Sequence, residues 1–192
     1  MTTTTALLRD LDGIQAPAPG TWTIDASHSE VAFSARHMMV SKVKGRFPRF
    51  SGQLEIAERP EDSSLRVEIE AAGIDTGNEQ RDAHLRSADF LDVERFPTLR
   101  YTSRSVEQTG RTTLRVEGEL TIRDVTRPVT LFAEYEGGAT PPWGGTVAGF
   151  TARAEIDRED FGIVWNQVLE AGGVLVSKKI QIEIEIEAVL GA

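Results

Sequence analysis

The chain has 192 residues, of which 40% are hydrophobic, with a formal net charge of -9 and a pI near 4.9. That length can bury one large core with space for an interior cavity, most simply in a single domain. The acidic balance and the lack of any basic run argue against nucleic-acid backbones and anionic membrane surfaces, since both reward clustered Lys and Arg. With no Cys there is no disulfide framework, no thiolate nucleophile and no thiolate metal site, which is compatible with a reducing compartment.

Residues 1–19 carry a Thr run, Ala6-Leu7-Leu8, the acidic Asp10 and Asp12, and then Ala16-Pro17-Ala18-Pro19. A secretory signal needs a positive start and a longer apolar core, so this stretch reads as an N-terminal arm, flexible or loosely docked, ahead of one domain over 20–192. No stretch approaches the roughly 18 apolar residues of a membrane span, and a cytoplasmic location is the expectation.

From Gly20 the pattern has period two, the signature of strands with one buried face. Thr21-Trp22-Thr23-Ile24 opens it, and Val31, Phe33, Ala35 and His37 follow on one face. Lys42 to Ala57 is a strand bent where Pro48 and its neighbouring glycines interrupt the alternation. After a turn holding Pro60, residues Leu65, Val67, Ile69 and Ala71 make the next strand. A helical insert from Arg81 to Pro97 comes next, with Thr76 and Glu79 spaced as a capping box and Pro97 as the stop. Arg81, His84, Leu85 and Ala88 share one stripe of it at i, i+3, i+4 and i+7.

Beyond the insert, Leu99, Tyr101 and Ser103 turn near Thr109-Gly110 and return through Leu114, Val116, Gly118, Leu120 and Ile122 as a hairpin. Asp124 to Arg127 reads as a turn before Val129, Leu131, Ala133 and Tyr135. A loop from Gly137 to Gly145 holds Trp143, and Ala148 to Ile156 is another strand. Arg158 to Gly173 is irregular, and Ile180, Ile182, Ile184 and Ile186 then alternate with Gln181, Glu183, Glu185 and Glu187. Such a meander has one wet face and no second layer to cover the dry one. It is therefore expected to be all-β, an extended up-and-down antiparallel eight-stranded barrel with one helical insert. A barrel of that size either fills with side chains or holds one small ligand, and the small inward residues Ala35, Ala133, Ala152, Ala154 and Gly118 favour the ligand.

His28, His37 and His84 are the only histidines, and they lack metal-ligand spacing, so no metal site is expected. No nucleophile elbow or Gly-rich phosphate loop is present. Two alternatives to a binding barrel stand beside it. One is an enzyme doing acid/base chemistry on an apolar substrate with Asp25, His37 and Arg81. The other is an interaction protein whose patch is the Trp143 loop.

Several landmarks in order resemble the YceI-like family, the lipocalin-like polyisoprenoid-binding proteins. They are Trp22-Thr-Ile-Asp25 with His28-Ser29, Val31-Ala-Phe33 and His37, Val43-Lys-Gly45-Arg-Phe47, and Phe50-Ser-Gly52. Arg81-Asp82-Ala-His84-Leu85, Asp89-Phe90, Phe96-Pro97, Gly118-Glu-Leu120, Pro128-Val129 and Asp160-Phe161-Gly162 complete the set. The resemblance implies non-catalytic binding or carriage of a long-chain polyisoprenoid, such as an isoprenoid quinone, or a related fatty lipid, with no cofactor. A homodimer is a further partner compatible with the sequence. The tail is expected against Phe33, Met38, Met39, Phe47, Phe50, Leu85, Phe90, Phe96, Phe150, Phe161 and Trp165, the methionines giving adaptable shape. His37 belongs to the same set. Arg81 and His84 are candidates to receive a head group, against the alternative that Arg81 pairs with Asp82 or Asp25 and only fixes the helix.

Overall fold

Alternation of apolar and polar residues decides the architecture. In the computed structural model, which describes residues 8–11, 14–38, 40–142, 144–168 and 174–191, nearly every apolar period-two run is a strand. A hairpin of β1 (Leu8–Leu11) and β2 (Ile14–Pro17) forms its own two-stranded sheet, not hydrogen-bonded into the larger one. The remaining strands are β3 (Gly20–Ile24), β4 (Glu30–His37), β5 (Ser41–Arg46), β6 (Phe50–Ile56) and β7 (Ser64–Glu70), then β8 (Thr98–Gln108), β9 (Thr113–Ile122), β10 (Val125–Ala139), β11 (Val147–Asp157) and β12 (Val176–Leu190). β3 and β6 to β12 pair in a ring that closes where β11 meets β12, and all pairs are antiparallel. A closed ring leaves no edge within it to aggregate.

Two of the eight staves are bent rather than straight. Along one edge of β12, Ala188 to Leu190 pair with β3 while Val176 to Glu185 pair with β4, so β3 and β4 run on as one stave broken at Asp25 to Ser29. β5 and β6 likewise make one stave, bent at Phe47-Pro48-Arg49 where proline removes a ladder donor. The first bend is held by Asp25, which accepts from the Ser27 backbone N–H at 2.9 Å and from the Ser27 hydroxyl at 2.6 Å and pairs with His28 Nδ1 at 2.9 Å. Those donors, Ser27 first and then His28, pull the Asp25 carboxyl from its ordinary 3.8 down to about 2. The same contact raises His28 above its ordinary 6.5.

Linkage then fixes a pH window. Asp25 contributes stability above its ordinary titration near 3.8 and loses it as the pH falls towards about 2, whereas His28 contributes below 6.5 and loses it as the pH rises. Asp25→Ala should therefore lower the thermal midpoint most between those limits, and the gap from wild type should shrink by pH 2. A gap that stays constant across this range would show that the bend does not depend on the ion pair.

The helical insert is shorter than its sequence pattern suggests. α1 spans Glu79–Arg86, and residues 87–96 continue as turns. Its cap is Asn78, whose side chain accepts from the Arg81 N–H at 2.9 Å, so the expected Thr76–Glu79 capping box does not form. Thr76 is held instead by the buried Asp82, which accepts both its N–H and its hydroxyl. The helix stops at Ser87, eleven residues after Thr76 and well before Pro97.

β10 begins at Val125, so the turn before it is Arg123-Asp124 rather than the expected Asp124 to Arg127. β10 also runs on into the expected loop, through Ala139. Trp143 and Met39 lie outside the described residues. Gly118 is not a void in the wall, because the Tyr101 ring covers it: a Cβ built there would come within 2.5 Å of that ring. The glycine makes room for the aromatic, whose hydroxyl lies 3.1 Å from the carbonyls of both Val116 and Val129.

Candidate functional site

Within the barrel lies a cavity of about 1120 Å³. Strand periodicity builds its wall: Ile180, Ile182, Ile184 and Ile186 of β12 all point into it, beside Ala152 and Phe150 of β11 and Leu131, Ala133 and Tyr135 of β10. The four isoleucines remain half-exposed although their strand is central, because they face open space rather than packed neighbours. Ala133 and Ala152 are directly paired across β10 and β11, so two small residues meet where a larger pair would fill the lumen.

The two ends of the cavity differ in charge. At the hairpin end, near the loops at 57–63 and 109–112, Glu55, Glu58 and Glu61 line it with Arg59 and Arg111, and Ala16 and Pro17 of the N-terminal hairpin close over it. At the helix end the charged and titratable lining consists of Arg36, His37, Arg81, His84 and Arg158. No carboxylate lines this end among the described residues. A long apolar interior with one end lined by cations and no carboxylate can hold an apolar chain and orient a polar or anionic terminus there.

Three of those donors, Arg81, His84 and Arg158, are positioned by their surroundings. Arg81 donates from Nε to the Thr76 hydroxyl at 2.7 Å and from Nη2 to the Thr76 carbonyl at 2.9 Å, with no carboxylate partner among the described residues. It is therefore fixed to the loop, not paired with Asp82 or Asp25. His84 is wedged edge-on against Trp165 and Phe90, with ring centroids 4.7 and 5.0 Å away, and its Nε2 lies 2.9 Å from Asp89 Oδ2. Arg158 is 4% exposed and donates to the carbonyls of Ile163, Trp165 and Ser177. Its Nη2 is buried without a hydrogen-bond partner among the described residues, and burial pushes its pKa down from the usual guanidinium range.

Nine of the expected site residues line the cavity: Phe33, His37, Phe47, Arg81, His84, Leu85, Phe90, Phe150 and Trp165. Four described ones do not. Met38 sits 42% exposed at the β4–β5 hairpin, with φ 49°. Phe50 packs against the core from the wall, and Phe161 is 1% exposed within the turn at Arg158–Phe161, outside the lumen. Phe96 lies under the guanidinium groups of Arg95 and Arg123, 4.9 and 5.7 Å from its centroid. Asp25 faces outward with His28 and Glu187, so the acid/base trio of Asp25, His37 and Arg81 does not assemble around the cavity. Arg158 was missed in the sequence, since its partners are backbone carbonyls, which leave no pattern of side chains to read.

A closed antiparallel barrel around one long apolar cavity defines a lipocalin-like barrel. The chain belongs to the YceI-like family, whose YceI-like domain model matches residues 22–188. A UPF0312 protein of Pseudomonas putida is 35% identical over 166 residues, covering 86% of this chain and 83% of that one. The UPF0312 protein SAS2572 of Staphylococcus aureus is 36% identical over 169 residues, covering 86% and 95%. Among solved structures, Burkholderia cenocepacia BcnA superposes with a TM-score of 0.75 at 20% identity, over 85% of this chain and 98% of that one. A polyisoprenoid binding domain from Saccharophagus degradans superposes with a TM-score of 0.62 at 12% identity, over 91% and 100%. These two show the shared fold. No helix among the described residues is long and apolar enough to cross a membrane.

Proposed function

We propose that the protein binds one long-chain polyisoprenoid, or a related long-chain lipid, in the barrel and carries it without chemical change. The observation that carries this reading is the cavity itself, about 1120 Å³ with a wall of isoleucine, alanine and aromatic side chains. At about 30 Å³ per water-sized group, it has room for a chain of several isoprene units. Each methylene moved from water into such a space is favourable by about 0.8 kcal/mol. Chain ordering and lost translation offset much of the sum, so micromolar to nanomolar affinity follows rather than the gross total. The tail lies along the β12 isoleucines with Phe33, Phe47, Leu85 and Phe150, and the head group sits by Arg81, His84 and Trp165. The family and the polyisoprenoid binding domain among the structural neighbours support this choice of ligand.

Titration with isoprenoid quinones and alcohols of increasing length should quench tryptophan fluorescence saturably. The change should shrink in Trp165→Phe, since Trp165 is the tryptophan that lines the cavity among the described residues. No saturable change at any chain length would overturn the reading.

A further inference from the structure

The chain contains only four lysines, Lys42, Lys44, Lys178 and Lys179, in a protein of net charge -9. β12, β4 and β5 lie side by side and bring all four to one corner of the barrel's outer face at the helix end. Arg36, Lys42, Lys178 and Lys179 line one outer groove of about 520 Å³ there. Lys178 and Lys179 are paired with Glu159 and Glu155, at 2.7 and 3.3 Å. Arg36, Lys42 and Lys44 form no ion pair among the described residues. Arg36 and Lys42 are direct cross-strand partners, an arrangement of like charges that weakens a sheet.

Apolar side chains share this end. Of the five large hydrophobics exposed among the described residues, four are here: Met38, Val40, Val164 and Val168, the two last valines 66% and 80% exposed and Val40 80%. Met38, Val40 and Val168 share one rim, because the Val40 N–H donates to the His37 carbonyl, the Met38 N–H to the Leu175 carbonyl and the Leu175 N–H to the Gln167 carbonyl beside Val168. The cavity reaches the same rim through His37, Ser41, Leu175 and Val176. A tip of exposed apolar residues flanked by unpaired cations fits a lipid surface with anionic head groups, where the apolar side chains enter the interface and the lysines meet the phosphates. We infer that this corner docks the barrel, helix end first, on an anionic bilayer. The inference rests on the lipid-binding reading for its purpose, since docking would set the cavity mouth against the membrane from which a ligand enters or leaves.

Vesicle flotation of the full chain tests it, with vesicles of phosphatidylcholine and of an equal mixture of phosphatidylcholine and phosphatidylglycerol. The protein should float with the mixed vesicles at about 0.1 M salt and be released at about 1 M, where screening acts within about 3 Å. Each Lys near such a surface strengthens partitioning about fivefold, so Lys42→Glu with Lys44→Glu should weaken it by about thirtyfold or more. Val40→Asp should weaken it too. Quinone titration in solution should be unchanged in the double variant, whose two lysines lie outside the cavity. Equal partitioning to both vesicle types, or wild-type partitioning by the double variant, would overturn the inference and leave the patch to an acidic protein partner. Vesicle binding without any quinone uptake would instead sustain the docking surface and overturn the ligand reading.

Discussion

Ala152→Trp is expected to weaken binding of a long-chain isoprenoid by about a thousandfold while the barrel still folds. Ala152 faces the lumen and pairs across the sheet with Ala133 on one side and Ile184 on the other, so an indole there projects into the open middle of the cavity. An indole takes the place of about five methylenes of the ligand, and at about 0.8 kcal/mol each that is about 4 kcal/mol. The indole enters the lumen rather than a packed core, so the strain that usually accompanies a larger core residue is small. Quinone titration measures the loss and a thermal midpoint within a few degrees of wild type shows the intact fold. Wild-type affinity in a folded variant would mean that the ligand does not occupy the lumen.

Gly118→Ala should be the most damaging single methyl in the wall. Its Cβ would lie 2.5 Å from the Tyr101 ring and 2.6 Å from the Thr102 carbonyl oxygen, and the second of these is backbone in a neighbouring strand. Forced overpacking of this kind costs about 3 kcal/mol, a large part of the 5–15 kcal/mol that typically holds a domain folded. Denaturant unfolding measures it. Trimming the ring with Tyr101→Leu should restore little, because the carbonyl contact remains. Full rescue by that second change would show that the ring alone sets the requirement for glycine.

Much of the barrel is legible in the chain because a strand reports its two faces residue by residue. Ile180 to Ile186 alternate with glutamate and glutamine, and the structure places those isoleucines in the lumen. The stripe of Arg81, His84 and Leu85 is legible for the same reason at helical spacing, and all three reach the cavity. Where local alternatives compete, the pattern misleads. Thr76 and Asn78 are both good caps, and what decides between them is Asp82, which captures Thr76 from within the fold. The irregular stretch after Ile156 has no period, so nothing in it distinguishes Phe161, packed into the core, from Trp165, which lines the lumen. Gly118 looks like a small lumen residue until its partner Tyr101 is known. The basic corner is the largest omission: Lys42 and Lys44 are distant in sequence from Lys178 and Lys179, no run marks them, and net charge conceals them until strand pairing brings them together.

Native mass spectrometry of the protein as purified, followed by organic extraction and mass analysis of what is released, tests most directly whether the cavity holds a lipid. A discrete adduct with the mass of a polyisoprenoid or comparable long-chain lipid, absent from Ala152→Trp prepared in the same way, is the predicted result. A bare mass in repeated preparations, with no uptake when isoprenoid quinones or alcohols are added, would contradict it.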